Sequence, residues 1–403
     1  MRFTANSGTL DITRIPFRLR KAWRRRIMYG MNGDPGLRIL FVHGETAIGG
    51  GETDLLRLLA HLAAHGDATA VIAPPGGGLA ERLAAAGVPQ FGIPVPGWRK
   101  TRDLLKRSRF FREAGRAFDA FSPRLVVAND VWYAPHARRL AERAGVPWAA
   151  HVRGELKGPG RVRQYDLDRA GAVLTMADSN VAGLRAGGVA KERIRLIPAG
   201  IDPRVPEPDR VESARKDLPP GRSPIVGIVA NVLAVKGYEI LEEAIRLLAR
   251  TFPALLCVVV GSADSEFGRR YRSRIGKSDL AHHFLFRGFL EDPLPHVALF
   301  DVMLLPSLSE GFGIVLLEGM SLRKPVVASA TGGIPGVVED GRTGFLVPPG
   351  DASALAEKTS LLLSDPAMRE RMGEEGYRRC VSRFGREDRL SEVREAYLRL
   401  CGR

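Results

Sequence analysis

Cysteine is scarce in this chain: Cys257, Cys380 and Cys401 are the only three among 403 residues. They are too few for a disulfide framework and lack the paired spacing of zinc ligands, so the sequence predicts neither feature. No apolar run reaches the roughly 18 residues that a membrane-spanning helix needs. The N-terminus also lacks the continuous apolar core of a signal peptide. We therefore expect a cytoplasmic protein.

Acidic residues are fewer than basic ones, 45 against 60, and the formal net charge is +15. Residues 1–36 hold eight basic residues against two acidic ones. Apolar residues recur among them every four positions: Ile15, Leu19, Trp23 and Ile27. This pattern is typical of a helix that lies in a membrane interface. Alternatively, Met28 or Met31 is the true start, and the tail is not part of the working protein.

A second basic stretch, residues 98–116, carries eight Lys or Arg residues. Apolar residues are spaced within and just beyond it as if for one helical face: Leu104, Leu105, Phe110, Phe111 and Phe118. The stretch is either a second contact with an anionic surface or a core helix with a solvated basic face. Neither basic segment is interleaved with stacking aromatics, so we do not expect nucleic-acid binding.

Short β-branched runs alternate with helical patterns from residue 37 onward, which predicts parallel sheets covered on both faces. The first half contains candidate strands at 37–43, 69–73, 125–128, 148–152, 172–175 and 195–198; the second contains them at 225–230, 255–260, 284–288, 302–306, 325–328 and 345–347. Six prolines lie among charged residues in the segment 203–224. Such a composition is typical of an interdomain connection, and the length of the chain allows two or three domains.

Two glutamates, Glu310 and Glu318, flank the most informative segment of the second half. An apolar strand runs into a loop with Gly311 and Gly313, and an apolar helix follows. Ligands of open α/β sheets bind beyond the carboxyl ends of the strands, and the glycines permit close approach to the backbone. Carboxylates there suit the hydroxyls of a sugar nucleotide. Alternatively, Glu310 caps the helix and Glu318 pairs with a neighbouring cation, Arg323 or Lys324.

Four further places carry candidate site residues. Lys236 and Gly237 follow the first strand of the second half, where an ammonium and a helix N-terminus could neutralise a diphosphate. Gly50 and Gly51 open a helix after strand 37–43, although glycine-rich turns are common. His151 ends strand 148–152, a place where a histidine is more often structural. Asn129 and Asp130 follow strand 125–128 as possible acceptor contacts, with a helix cap as the simpler account of Asp130.

Many ordered blocks of the sequence resemble family 4 retaining glycosyltransferases. They are Arg287-Gly288-Phe289, Pro306-Ser307, the Glu310/Glu318 pair, Lys324-Pro325-Val326-Val327-Ala328, Gly332-Gly333-Ile334-Pro335 and Gly341-Arg342-Thr343-Gly344-Phe345-Leu346-Val347, with weaker matches upstream at Gly49-Gly50-Gly51-Glu52, His151, 197–202 and Lys236-Gly237. The resemblance implies an α/β fold of the GT-B type, with two Rossmann-like, doubly wound parallel-sheet domains that face a cleft. It also implies that the final helix, 386–400, crosses back to the first domain.

The same resemblance implies roles for the site residues. The donor, a nucleoside diphosphate sugar, is held by Lys236, Gly237 and the glycine loops, which include Gly50, Gly51 and the run Gly311, Phe312, Gly313, Ile314. Glu310 binds sugar hydroxyls, Glu318 binds the ribose, and His151 lies near the sugar; Glu310, His151 and Lys236 are the catalytic candidates. One position departs from the family, because Asn231 stands where an arginine is usual. No cofactor or divalent metal is expected.

The sequence therefore predicts a cytoplasmic retaining glycosyltransferase that transfers a hexosyl group to a glycan or lipid-linked hydroxyl in cell-surface polysaccharide or glycolipid synthesis. The protein is expected either free in the cytoplasm or peripheral on the inner face of a membrane. Two alternatives stay open: a GT-B sugar-nucleotide epimerase and a catalytically silent membrane-docking relative. The expected domains are a basic extension (1–36), an acceptor-binding domain (37–202), a linker (203–224), a donor-binding domain (225–385) and the final helix (386–403).

Overall fold

The computed structural model describes residues 36–98, 103–156 and 158–402. The proposed interfacial helix of the N-terminal extension lies outside these residues. Within them the chain forms two compact units. One contains the residues up to Thr175, Asn180–Ile197 and those from Leu390 on, and the other contains Met176–Ser179 and Pro198–Arg389.

The first unit is built on a seven-stranded parallel sheet with the order β3-β2-β1-β4-β5-β6-β7. Its strands are β1 (Arg38–Val42), β2 (Ala68–Ala73), β3 (Gln90–Gly92), β4 (Leu125–Ala128), β5 (Trp148–Val152), β6 (Ala172–Thr175) and β7 (Ile194–Leu196). The helices before Pro198 are α1 (Gly50–Ala64), α2 (Gly77–Ala85), α3 (Leu104–Phe121), α4 (Ala134–Ala144), α5 (Pro159–Gln164) and α6 (Ser179–Ala186).

The second unit repeats the design with a six-stranded parallel sheet in the order β10-β9-β8-β11-β12-β13. Its strands are β8 (Ile225–Val229), β9 (Leu256–Val260), β10 (Phe284–Gly288), β11 (Val302–Leu305), β12 (Val326–Ser329) and β13 (Gly344–Val347). The remaining helices of the chain are α7 (Pro208–Lys216), α8 (Tyr238–Thr251), α9 (Glu266–Gly276), α10 (Leu294–Val297), α11 (Ile314–Ser321), α12 (Ile334–Val337), α13 (Ala352–Ser364), α14 (Pro366–Arg383) and α15 (Arg386–Leu400).

Both sheets are doubly wound, and this confirms the predicted fold class. The strand order reverses direction between β1 and β4 in the first unit and between β8 and β11 in the second. Loops that leave neighbouring strands on opposite sides of such a reversal open a crevice at the carboxyl edge, where open α/β sheets bind ligands. The inner strands are apolar and buried on both faces, as parallel sheets require, whereas the edge strands β3, β7, β10 and β13 are partly exposed.

The twelve predicted strands all correspond to strands of the structure, whereas β3 was not predicted. Helix α7 lies within the segment predicted as a linker. It begins at Pro208, a residue suited to the first turn of a helix, and it buries Ala214.

The last helix, α15, covers one face of the first sheet from Leu390 onward. Tyr397 is fully buried in the core cluster that contains Phe41, and the two rings meet edge to face at 6.4 Å. Arg394 donates to Asp67 at 2.7 Å, and the same carboxylate accepts from the backbone amide of Leu37 at 2.8 Å. The final helix therefore contacts the residues that precede the first two strands.

Candidate active site

Glu310 stands in the loop between β11 and α11, and neighbouring backbone fixes its position. A Cβ on Gly332 would collide with the carbonyl oxygen of Glu310, and one on Gly333 would lie 2.6 Å from the carbonyl oxygen of Gly311. The loops after β11 and β12 thus pack backbone against backbone, which only glycine allows. The backbone of Glu310 is therefore held in place by its contact with Gly332.

The Glu310 carboxylate forms an ion pair with Lys236. Nζ of Lys236 lies 2.7 Å from Oε2 of Glu310, which also accepts from the hydroxyl of Ser307 at 3.2 Å. The two side chains are 24% and 14% exposed, respectively, so both can be reached from solvent. Lys236 follows β8 and Glu310 follows β11, which places the pair at the reversal of strand order in this sheet.

Lys236 is positioned by the turn that opens α8. It ends a short 3-10 turn, and Gly237 follows as the helix N-cap with φ of 71°. A Cβ on Gly237 would collide with the carbonyl oxygen of Pro306. The lysine ammonium and the positive end of the α8 dipole therefore lie together, an arrangement that suits a phosphate group.

The residues that follow Glu310 form the start of helix α11. Phe312 is buried, and Gly313, with φ of 86°, is the N-cap of α11, which begins at Ile314. The alternative that Glu310 caps this helix is therefore wrong. Glu318 is half-buried in the second turn of α11. Its suggested partner Arg323 donates instead to Glu374 at 2.7 Å.

Asn231, which replaces the usual arginine, lies just beyond β8. Its side-chain oxygen accepts from the backbone amide of Ser262 at 3.0 Å. The amide side chain thus links the loops that follow β8 and β9. It supplies no positive charge at this edge of the sheet.

A second polar cluster lies at the carboxyl edge of the first sheet, and sequence reasoning missed most of it. His43 follows β1, Asn129 follows β4 and Arg153 follows β5. Arg153 donates to both the backbone oxygen and the side-chain oxygen of Asn129 at 2.8 Å, and it also pairs with Asp54. Each of these residues comes directly after a buried strand, and this sequence pattern could have predicted the cluster, since the carboxyl ends of parallel strands meet at one sheet edge.

The glycine turn before α1 belongs to this cluster. Glu52 reaches back to accept from the amide of Gly49 at 2.9 Å, as in a capping box. A Cβ on Gly50 would meet no atom within 4 Å, and one on Gly51 would touch only Arg153, at 3.4 Å. Space is therefore open beside Gly50.

Asp130 and His151 have structural partners. The Asp130 carboxylate accepts from the amide of Val131 at 2.5 Å, so it caps the turn there, and burial raises the pKa of Asp130 to about 6. Nε2 of His151 lies 2.6 Å from the hydroxyl of Tyr397, and burial lowers the pKa of His151 to about 3. The imidazole of His151 is therefore neutral at pH 7 and hydrogen-bonded to a residue of α15.

Comparison with known protein families identifies the family of the protein. Residues 209–379 match the model of the glycosyl transferases group 1, and residues 49–200 match that of the glycosyl transferase 4-like domain. The protein belongs to the GT-B glycosyltransferases of family 4. Nucleotide-sugar glycosyl transfer is the chemistry of this family, and the predicted family membership is confirmed.

Relatives of this glycosyltransferase act on varied substrates. The D-inositol 3-phosphate glycosyltransferase of Corynebacterium jeikeium is 30% identical over 288 residues, which cover 66% of this chain and 68% of that enzyme. The GDP-mannose-dependent alpha-(1-6)-phosphatidylinositol monomannoside mannosyltransferase of Mycolicibacterium smegmatis is 34% identical, but the match covers only 45% of this chain and 50% of that enzyme.

Solved structures share the fold of this glycosyltransferase. Anabaena HepE in complex with UDP and glucose has a TM-score of 0.79 at 22% identity, covering 90% of this chain and 99% of the other. Sucrose-phosphate synthase from Thermosynechococcus elongatus has a TM-score of 0.76, with the same identity and coverage. Among the residues that the structure describes, no helix is long and apolar enough to cross a membrane.

Proposed function

We propose that this glycosyltransferase transfers a hexosyl group, with retention of configuration, from a nucleoside diphosphate sugar to a hydroxyl of a glycan or glycolipid. Cell-surface polysaccharide or glycolipid synthesis is the process that uses such a product. The observation that carries the proposal is the Lys236–Glu310 pair, which lies beside the N-terminus of α8 at the reversal of strand order.

Each member of the pair has a separate task during transfer. The Lys236 ammonium and the α8 amides stabilise the negative charge that develops on the departing diphosphate. Glu310 accepts hydrogen bonds from hydroxyls of the transferred sugar and orients it, while Glu318 binds the ribose. The departing phosphate helps to remove the proton of the acceptor hydroxyl, so retention needs no protein nucleophile, and no divalent metal is required.

The relatives support the donor class and leave the base open. HepE was solved with UDP, and the mycobacterial relative depends on GDP-mannose. Both are nucleoside diphosphate donors. Because the catalytic pair contacts the diphosphate and the sugar rather than the base, either donor is compatible with it.

We propose that an anionic membrane surface is a further partner, because α3 exposes two leucines beside a basic residue. Leu104 and Leu105 are 60% and 85% exposed, in contrast to the prediction that they share the apolar face of Phe110, which is buried. The side chain of the neighbouring Lys106 is also mostly exposed. Exposed leucines beside basic residues suit the interface of an anionic bilayer, where a lipid-linked acceptor would reside.

The test is an assay of the full chain with UDP-, GDP- and ADP-hexoses, with and without sugar acceptors and with and without a chelator. Transfer that needs Glu310, persists with the chelator and preserves the anomeric configuration supports the proposal. Release of free nucleotide with an altered sugar and no acceptor would identify an epimerase. Nucleotide binding without any turnover would identify a silent relative.

A further inference from the structure

His43 and Glu52, at the carboxyl edge of the first sheet, are not used by the donor chemistry. Nδ1 of His43 lies 3.2 Å from Nδ2 of Asn129, and Nε2 lies 3.1 Å from Oε1 of Glu52. Both side chains are largely buried, at 3% and 12% exposed. They lie at the reversal of strand order, the same relative place that Lys236 and Glu310 occupy in the second sheet.

Arg153 fixes the directions of the hydrogen bonds that link it, through Asn129, to His43. A guanidinium only donates, so the Asn129 atom that faces Arg153 at 2.8 Å is the amide oxygen. The amide nitrogen of Asn129 therefore faces His43 and donates to Nδ1. A neutral imidazole that accepts at Nδ1 carries its proton on Nε2. His43 is thus fixed as the Nε2–H tautomer.

The Nε2–H group of His43 has no well-aligned acceptor among the described residues. Oε1 of Glu52 lies 3.1 Å from Nε2, but this contact lacks the geometry of a hydrogen bond. Burial of an unsatisfied donor is costly, so such a group indicates a missing acceptor. Glu52 accepts from the amide of Gly49 through Oε2, which leaves the lone pairs of Oε1 available to a ligand, and a Cβ at Gly50 would meet open space.

The charge around His43 determines which chemical group can accept the hydrogen bond from Nε2–H. Four carboxylates lie near two guanidinium groups, those of Arg57 and Arg153, and near Tyr133; the carboxylates are Glu45, Glu52, Asp54 and Asp130. Such a surplus of carboxylates repels phosphate. An ammonium group would be attracted, but it has no lone pair to accept from His43. A hydroxyl group accepts with its oxygen and donates with its proton, and so it satisfies both partners.

We propose that His43 and Glu52 form a subsite for a neutral hydroxyl of the acceptor, which accepts from Nε2–H of His43 and donates to the carboxylate of Glu52. The acceptor is therefore an uncharged glycan or polyol at this position, not a phosphate ester. This inference rests on the proposed function, and it assigns the acceptor class to the first unit.

The first experiment needs no turnover. Nitrogen-15 NMR of the histidine side chains, with His43 assigned by comparison with His43→Gln, is expected to show the Nε2–H tautomer at neutral pH. Methyl α-D-glucopyranoside or myo-inositol is expected to shift that signal, and inorganic phosphate is not. The Nδ1–H tautomer, or a signal that no polyol moves, would overturn the proposal.

The second experiment uses whichever nucleotide sugar supports turnover. Glu52→Gln is expected to raise KM for methyl α-D-glucopyranoside or myo-inositol by roughly 10- to 100-fold, the usual loss for a hydrogen bond to a charged group, with nucleotide affinity unchanged. Glucose 6-phosphate and myo-inositol 1-phosphate are expected to be poorer acceptors than their parents for the wild type. Preference for the phosphate esters would contradict the subsite.

Glu45→Gln is the matched control, because it removes the same charge from the same edge without touching His43. An equal rise in KM in both variants would show a general field effect and refute the pair. A wild type that turns over no donor would count against the proposed function alone, since the NMR experiment still tests the subsite.

Discussion

Gly237 packs directly against the carbonyl of Pro306, so closely that a Cβ would overlap the oxygen. This contact joins the turn that carries Lys236 to the end of the strand that precedes Glu310. The spacing of Lys236 and Glu310 therefore depends on the absence of a methyl group at Gly237.

Gly237→Ala is expected to weaken nucleotide binding and lower Tm. The substitution adds a steric clash to the strain of a positive φ, which alone costs about 1–2 kcal/mol. Gly221→Ala is the control, because Gly221 has a similar φ of 73° and no atom near its Cβ position. Nucleotide affinity by calorimetry and Tm by calorimetric scanning are the measurements; equal effects of the two substitutions would exclude a special role for the Pro306 contact.

Removal of the Lys236 charge is expected to slow transfer. Lys236→Met should lower kcat by about 100- to 1000-fold, the usual loss when a group that stabilises developing charge is removed. Lys358→Met, at an exposed ion pair with Glu357, should leave kcat unchanged. A Lys236→Met enzyme with normal kcat would place the diphosphate elsewhere.

Acid is expected to destabilise the protein through two buried histidines. The rings of Trp98, Phe110 and Phe111 surround His136, and burial lowers its pKa to about 4, with Arg107 and Arg139 adding to the effect. The pKa of His151 is lowered to about 3. Both rings bind protons more readily in the unfolded chain. Stability is therefore complete above about pH 6.5, falls as the pH is lowered from 6.5 towards the folded-state pKa of each ring, and falls no further below that value.

Between pH 7 and pH 5 each of these two histidines should cost about 2 kcal/mol of unfolding free energy. Urea unfolding at the two pH values measures the loss. His136→Phe keeps an aromatic ring and should reduce the loss by about half, whereas replacement of the exposed His65 should not. An unchanged pH dependence in His136→Phe would show that other groups are responsible.

Variants of His151 and of its partner Tyr397 can distinguish a structural role of His151 from a catalytic one. Tyr397→Phe leaves a buried nitrogen without this partner and should cost about 1–3 kcal/mol of stability. If His151 acts at the sugar, as the family resemblance implies, His151→Asn should lower kcat while Tyr397→Phe leaves kcat nearly intact. Parallel losses of stability with unchanged kcat in both variants would assign His151 to the core.

Exposed leucines on α3 are expected to contribute to membrane binding. Leu104→Ser combined with Leu105→Ser should reduce binding of the full chain to vesicles that contain anionic lipid, as measured by sedimentation. The exposed Val381→Ser on α14 is the control. Undiminished binding by the double variant would remove α3 from the interface.

The strands of both sheets could be predicted from sequence because parallel strands are buried on both faces and form continuous apolar runs. β3 was missed since Gln90–Gly92 is too short for such a run. The proline-rich segment 203–224 concealed α7, because Pro208 begins a helix there instead of breaking one. Helical spacing alone also could not show that Leu104 and Leu105 lie beyond the buried part of α3.

The segment 310–318 was recognisable from sequence because its two glutamates and its glycines lie within a few residues of each other. The cluster in the first sheet was not, since His43, Asn129 and Arg153 are brought together by three strands far apart in the chain. Its hydrogen-bond directions follow only from the observed contact between Arg153 and the Asn129 amide.

The docking of α15 has a consequence for how the protein is made. Synthesis proceeds from the N-terminus, yet Phe41 and Asp67 acquire their partners Tyr397 and Arg394 only at the far end of the chain. Part of one apolar face of the first sheet, beside the part that α1 and α2 cover, therefore stays exposed while the second unit is translated. Chaperones that recognise exposed apolar surface have their opportunity during that interval.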